Sequence, residues 1–133
     1  MTDVEASYLA GLFDGEGCVV AFRQRGGFYS PYATIGMTAG LPHELWMEWG
    51  GLFYARSRGL LHKPCNVWEI RKQGELHVFF QKIKPYLRVK YFQVDLALRM
   101  LDILGEKSEG WKEELNRMAE EMHRLNKKGR VPP

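Results

Sequence analysis

Leu9-Ala10-Gly11-Leu12-Phe13-Asp14-Gly15-Glu16-Gly17 sets three glycines and two acids in one short stretch, and its reading decides the rest of the chain. Just upstream, Thr2-Asp3-Val4-Glu5 has the Thr-x-x-Glu spacing of a capping box, in which hydroxyl and carboxylate satisfy amides left free at a helix start. A helix is therefore predicted from Thr2 to about Asp14, stopped by Gly15-Glu16-Gly17. On it Ser7, Gly11 and Gly15 recur four apart with Ala10 beside them, leaving a stripe almost free of side chains where two backbones could approach closely. Such a stripe could equally pack against the chain's own sheet. The acids tip the balance, because Asp14 and Glu16 stand at a helix C-terminus, where the macrodipole disfavours negative charge by roughly 0.3–1 kcal/mol. If two copies packed along the stripe, their acidic ends would meet and repel. A hard divalent cation would resolve that conflict: Mg²⁺ binds through one or two carboxylates together with phosphate oxygens. The chemistry such a site can perform is phosphodiester hydrolysis.

Outward from this helix the elements alternate. Cys18–Arg25 and Tyr32–Thr38 are rich in β-branched and aromatic residues around Gly26-Gly27, which predicts a hairpin with a loop of moderate length. Pro42 followed by Leu45, Trp46 and Trp49 predicts a short amphipathic helix ended by Gly50-Gly51. Phe53–Arg58 and Val67–Lys72 read as a second pair of strands, and in the later one Trp68 and Ile70 alternate with Glu69 and Arg71, as in a sheet covered on one side. Helices follow at about 75–84, 88–104 and 109–126. The expected class is α+β: an αββαββα core whose four-stranded antiparallel sheet is packed by helices on one face, plus C-terminal helices, in a single domain over 1–133. Within it, 1–17 forms the motif helix, 18–74 the sheet and short helix, and 75–128 the helical part.

Composition narrows the function. The chain of 133 residues suffices for one core. Cys18 and Cys65 have neither disulfide-framework nor zinc spacing, and no apolar run or leader-like segment is visible, so an intracellular, soluble protein without a membrane partner is expected. The net charge of +3 is unevenly spread: residues 1–17 hold four acids and no Lys or Arg, residues 93–133 hold eight of each sign, and residues 18–92 hold eleven Lys and Arg against four acids. A sheet region at +7 (eleven minus four) suggests a polyanionic partner, although charge alone fits an ordinary basic surface as well.

The quoted stretch resembles the LAGLIDADG motif, with Phe for Ile, Gly for Ala and Glu for Asp. Pro85-Tyr86-Leu87-Arg88-Val89-Lys90 with Gln93, and Arg124-Leu125-Asn126-Lys127-Lys128-Gly129, are similar to two further recurrent segments of the homing endonucleases that carry it. The resemblance implies paired motif helices at the centre of a saddle whose sheets lie in the DNA major groove. One motif per chain implies a C2 homodimer, a roughly palindromic double-stranded DNA target, and an interface of Ser7, Ala10, Gly11 and Asp14. It further implies Mg²⁺ as cofactor, with Mn²⁺ able to substitute and no organic cofactor. Glu16 would be the metal ligand helped by the Gly15 carbonyl, Lys90 the cation beside the phosphate, and Asp14 structural. DNA contacts expected on the sheet are Gln24, Arg25, Ser30, Tyr32, Thr34, Arg56, Arg58, Glu69 and Arg71, with Arg56 and Arg58 foremost because arginine grips guanine bidentately.

Two features depart from the pattern. Alternation from the motif aims Val20, Phe22 and Gln24 at DNA, which would turn Arg23 and Arg25 coreward unless the strand bulges near Phe22 or projects beyond the helices. Thr38-Ala39-Gly40 stands where a Gln or Asn commonly holds a water near the metal, leaving Thr38 or His43 to substitute or catalysis weakened. His62, His77 and His123 show no spacing of a metal or acid–base pair. The same scaffold could bind without cutting, as a transcription regulator or an intron maturase, but Asn or Gly at position 16 would suit that role better than the Glu found.

Overall fold

The computed structural model describes residues 1–38, 40–56 and 65–128. The first helix, α1 (Asp3–Glu16), opens with the capping box: the Glu5 amide donates to Thr2 Oγ1 at 3.1 Å and the Thr2 amide to Glu5 Oε2 at 3.2 Å. It runs through Gly15 and Glu16, farther than Asp14, because neither residue leaves the helical region and the Gly17 amide still donates to the Phe13 carbonyl. Gly17 must be glycine, since a Cβ there would collide with the Phe13 ring.

Strands β1 (Gly17–Gln24) and β2 (Phe28–Met37) then pair without interruption from Gly17↔Ile35 to Gln24↔Phe28. Gly26 and Gly27, at φ 98° and 81°, supply the left-handed backbone that closes this reversal, so the connection is tighter and β2 begins earlier than expected. Helix α2 (Leu41–Trp49) precedes β3 (Leu52–Arg56) and β4 (Cys65–Ile70), and the four strands form one antiparallel sheet in the order β1-β2-β4-β3. Next come α3 (Gln73–Ile83), a 3₁₀ turn over Lys84–Tyr86, α4 (Tyr91–Glu106) and α5 (Trp111–Lys128). The architecture is α+β with helices on one face of the sheet, as expected. None of the described helices is long and apolar enough to cross a membrane.

Register divides the sheet into two faces. Val19 and Ala21 of β1, Ala33 and Ile35 of β2, and Trp68 and Ile70 of β4 point to the helices and are buried. They meet Leu9, Ala10 and Phe13 of α1 and Phe79 and Phe80 of α3. Phe13, Trp68, Phe79 and Phe80 make edge-on or tilted ring contacts with centroids 5.2–6.0 Å apart, the geometry aromatic quadrupoles favour. This core fixes α1 against the sheet and sets the direction in which its C-terminus points.

Arg23 shares the core-facing parity yet is exposed, beside Tyr29, Asn116, Glu120 and His123. The continuous β1–β2 ladder eliminates a bulge near Phe22; the hairpin end packs against α5 through Phe28–Trp111 and Lys112–Gly26, and Arg23 reaches solvent on the helix side. Arg25 lies in the exposed turn.

Candidate nucleic-acid interface and catalytic end

The carboxyl end of α1 is built around Asp14. Its carboxylate accepts from the amides of Arg88 (2.9 Å), Val89 (3.1 Å) and Lys90 (2.9 Å), the segment leading into α4, whose N-cap residue Lys90 makes no side-chain cap. The macrodipole conflict inferred from sequence is thus relieved for Asp14 by the favourable end of another helix. Asp14 is thus engaged within its own chain. Asp14→Ala should lower the unfolding free energy by about 1–3 kcal/mol, seen as a lower urea midpoint at unchanged slope.

The same contact delivers Lys90. Its ammonium donates to the Asp14 carbonyl at 2.7 Å, and burial lowers its pKa below the ordinary lysine value, opposed by the nearby Cys18, Asp14 and Glu16. Glu16 is exposed and accepts no hydrogen bond or ion pair among the described residues. The end of α1 therefore presents one free carboxylate, the exposed Gly15 preceding it, and one cation held by main chain. Cys18, half-buried at the start of the open sheet face, belongs to this neighbourhood and carries no motif signal that would single it out.

Among the described residues no three side chains of His, Cys, Asp or Glu converge to hold a metal. That donor set is too small for an all-protein cage. It suits an ion such as Mg²⁺, which keeps several waters and takes one or two carboxylates plus phosphate oxygens.

The outer face of α1 is Val4, Ser7, Tyr8, Gly11 and Gly15, all exposed, with Val4 at 79% and Tyr8 at 62%. Ala10 is fully buried in the chain's own core, so it does not share this surface; it lies on the core-facing side of the helix with Ala6 and Phe13. Val4 and Tyr8 were readable from the alternating i+4 and i+3 spacing that leads to Gly11 and Gly15. A Cβ built at Gly11 or Gly15 meets nothing within 4 Å. Glycine inside a helix costs about 0.5–1 kcal/mol relative to alanine, and nothing among the described residues requires it at those two positions. Ser7, Gly11 and Asp14 share a groove of about 480 Å³ with Pro85, Tyr86, Leu87 and Arg88.

The sheet face away from the helices carries Gln24, Ser30, Tyr32, Thr34, Arg56, Glu69 and Arg71 by register and alternation; Arg58 and Ala39 lie outside the described residues. Two of the expected exposed positions are covered. Ser30, 5% exposed, accepts from Gln24 Nε2 at 2.9 Å, and Glu69, 4% exposed, accepts from the Tyr54 hydroxyl at 3.2 Å and from Arg71 Nε. Neighbouring side chains overlay these short or central residues, a consequence of cross-strand packing that alternation cannot reveal. Burial and then the Glu69 carboxylate push the Tyr32 and Tyr54 hydroxyls above the usual tyrosine pKa. Val20, Phe22, Leu52 and Val67 share the face, which is thus more apolar than the charge count suggested. Its described cations are Arg56 and Arg71.

His43 packs edge-on against Phe53 at 5.3 Å, and Phe53 has core-side parity through its partner Trp68, so His43 is turned from the open face. Thr38 is exposed just past β2. In the basic C-terminal segment, Asn126 donates to the Val19 carbonyl at 2.9 Å and Arg124 pairs with Glu121.

No protein-family model matches the chain, and no curated protein matches it. Solved structures do. The homing endonuclease I-CvuI, in complex with its target in the presence of 2 mM Ca, superposes with a TM-score of 0.75 at 19% identity, over 92% of this chain and 82% of that one. The archaeal intron-encoded homing endonuclease I-Vdi141I, complexed with DNA, gives 0.74 at 18% identity over 92% and 84%. The LAGLIDADG homing endonuclease I-GzeII, in complex with its DNA target, gives 0.72 at 16% identity over 90% of this chain and 44% of that one. The chain has the fold of the LAGLIDADG homing endonucleases, and its residues 9–17 resemble their motif.

Proposed function

We propose that two copies of this chain form a C2 homodimer that cuts double-stranded DNA at a long, roughly palindromic site by metal-dependent phosphodiester hydrolysis. The observation that carries this reading is the unpaired Glu16 carboxylate at the end of a helix whose outer stripe holds two glycines that nothing among the described residues requires. Packing two such stripes together brings two Glu16 side chains near the dimer axis. The coverage values agree: this chain accounts for most of I-CvuI and I-Vdi141I but 44% of I-GzeII, whose remaining length leaves room for a second unit.

Glu16, helped by the Gly15 carbonyl, would hold Mg²⁺, or Mn²⁺ in its place. Such an ion, when bound, supplies an activated water and stabilises the oxygens of the displacement. Lys90, fixed on the Asp14 carbonyl, places positive charge where the scissile phosphate gains negative charge. Asp14 ties the end of α1 to the segment that leads into α4 and so holds Lys90 close to the Glu16 end. The open sheet face lies in the major groove, which admits β-strands and distinguishes all four base pairs.

The test is incubation of purified protein with a randomised duplex library in Mg²⁺ and, separately, in Ca²⁺, followed by sequencing of cut and retained molecules. Cleavage of one near-palindrome in Mg²⁺ is expected. Retention without cleavage in both ions would replace the nuclease by a binding protein, and no retention would remove DNA as the partner.

A further inference from the structure

Arg71 differs from every other described cation of the sheet in how completely its guanidinium is held. Its Nε donates to Glu69, and the guanidinium carbon lies 4.6 Å from the Phe22 ring centroid and 4.2 Å from that of Tyr32. Phe22 and Tyr32 are themselves edge-on at 5.1 Å, so the two rings form one platform. The Arg71 side chain still keeps 43% of its surface open. Of its five N–H donors one is used, and the terminal amino groups make no hydrogen bond among the described residues. Exposed arginines ordinarily lose rotamer freedom on binding, whereas this one has lost it on folding.

Glu69 explains how. A carboxylate at 4% exposure must be paired, and both its oxygens are, one by Tyr54 and one by Arg71. Buried and with both oxygens already accepting, it is poorly placed to accept from cytosine. An ion pair whose cation stays 43% exposed contributes only about 0–1 kcal/mol to stability, so the arrangement is better explained by what it orients.

Resting on the DNA reading above, we propose that Arg71 reads a guanine in the outer part of each half-site, with Glu69 and Tyr54 as positioning residues that aim its terminal amino groups. Guanine offers O6 and N7 side by side in the major groove, matching two parallel N–H groups. The position follows from the sheet: Phe22 lies about 17 Å along β1 from Gly17, at roughly 3.4 Å per residue, well away from the scissile bonds near Glu16. Glu69, which parity alone marks as a base contact, becomes a support for one.

The experiment is selection from a randomised duplex library in Ca²⁺ by the full chain and by Arg71→Lys, Glu69→Gln and Tyr54→Phe. The unaltered protein should choose G·C at one symmetric pair of outer positions. Arg71→Lys, which keeps the charge and loses the fork, should reduce that preference roughly 5- to 150-fold while preferences elsewhere persist. Glu69→Gln and Tyr54→Phe should weaken the same position and no other. Tyr54→Phe removes one hydroxyl, so it reports even if Glu69→Gln folds poorly. An even loss of affinity on all sequences with Arg71→Lys would make Arg71 a phosphate contact and overturn the proposal. A guanine preference untouched by both Glu69→Gln and Tyr54→Phe would overturn the positioning roles. If the unaltered protein selects no sequence, the DNA reading itself fails and the proposal with it.

Discussion

Replacing Glu16 by Gln is expected to slow DNA cleavage by about 10³-fold or more, ~4 kcal/mol of transition-state stabilisation, while changing DNA affinity by less than about twofold. Gln keeps the size and the helix but removes the charge that would attract a divalent ion. The exposed side chain has no hydrogen-bond or ion-pair partner among the described residues, so the fold should not notice the change. The open sheet face, where DNA would be held, is built from residues that Glu16 does not touch. Single-turnover cleavage and Ca²⁺-supported binding, measured on the same duplex, separate the two effects. Cleavage at an unaltered rate would take Glu16 out of the mechanism.

Gly11→Leu is expected to raise the dimer dissociation constant at least about 100-fold, ~3 kcal/mol, and to leave the isolated chain as stable as before or slightly more so. The two halves of that expectation have opposite origins. Within one chain a Cβ at Gly11 meets open space, and leucine in place of a helical glycine gains up to about 1 kcal/mol of helix propensity. Between two chains, the added side chain holds the helices apart where glycine allows backbone to approach backbone. Light scattering at micromolar concentration should report the monomer mass, and thermal melting an undiminished helix signal. An unchanged dimer mass would move the interface off this stripe. Gly17 offers the internal contrast, because a Cβ there meets the Phe13 ring and harms the monomer itself.

Much of this architecture was legible because it is local. The capping box fixed the start of α1, two glycines marked the β1–β2 reversal, and the alternation of Trp68 and Ile70 with Glu69 and Arg71 assigned the faces of β4 correctly. Pro31 obscures the beginning of β2, since proline removes a ladder donor, yet it lies beyond the segment that β4 pairs and is tolerated there. Gly15 looks like a helix stop and is instead helical; its glycine identity serves the surface of α1 and has no role in ending it.

What escaped the sequence is long-range. Asp14 meets the amides of 88–90 across more than seventy residues, and no spacing rule connects them. Similarly, the burial of Ser30 and Glu69 depends on which side chains of adjacent strands lean over them. Parity gives the face of a residue; only the pairing register and the size of its neighbours give its exposure.

The most direct measurement of the central claim, that one acid from each of two chains makes the site, is cleavage by a mixed dimer purified through two different tags, one chain intact and the other carrying Glu16→Gln. On a duplex that the unaltered dimer cuts, this mixed dimer should lose double-strand cleavage and at most break one strand. Double-strand cleavage by the mixed dimer at the unaltered rate would contradict a site that needs Glu16 from both subunits.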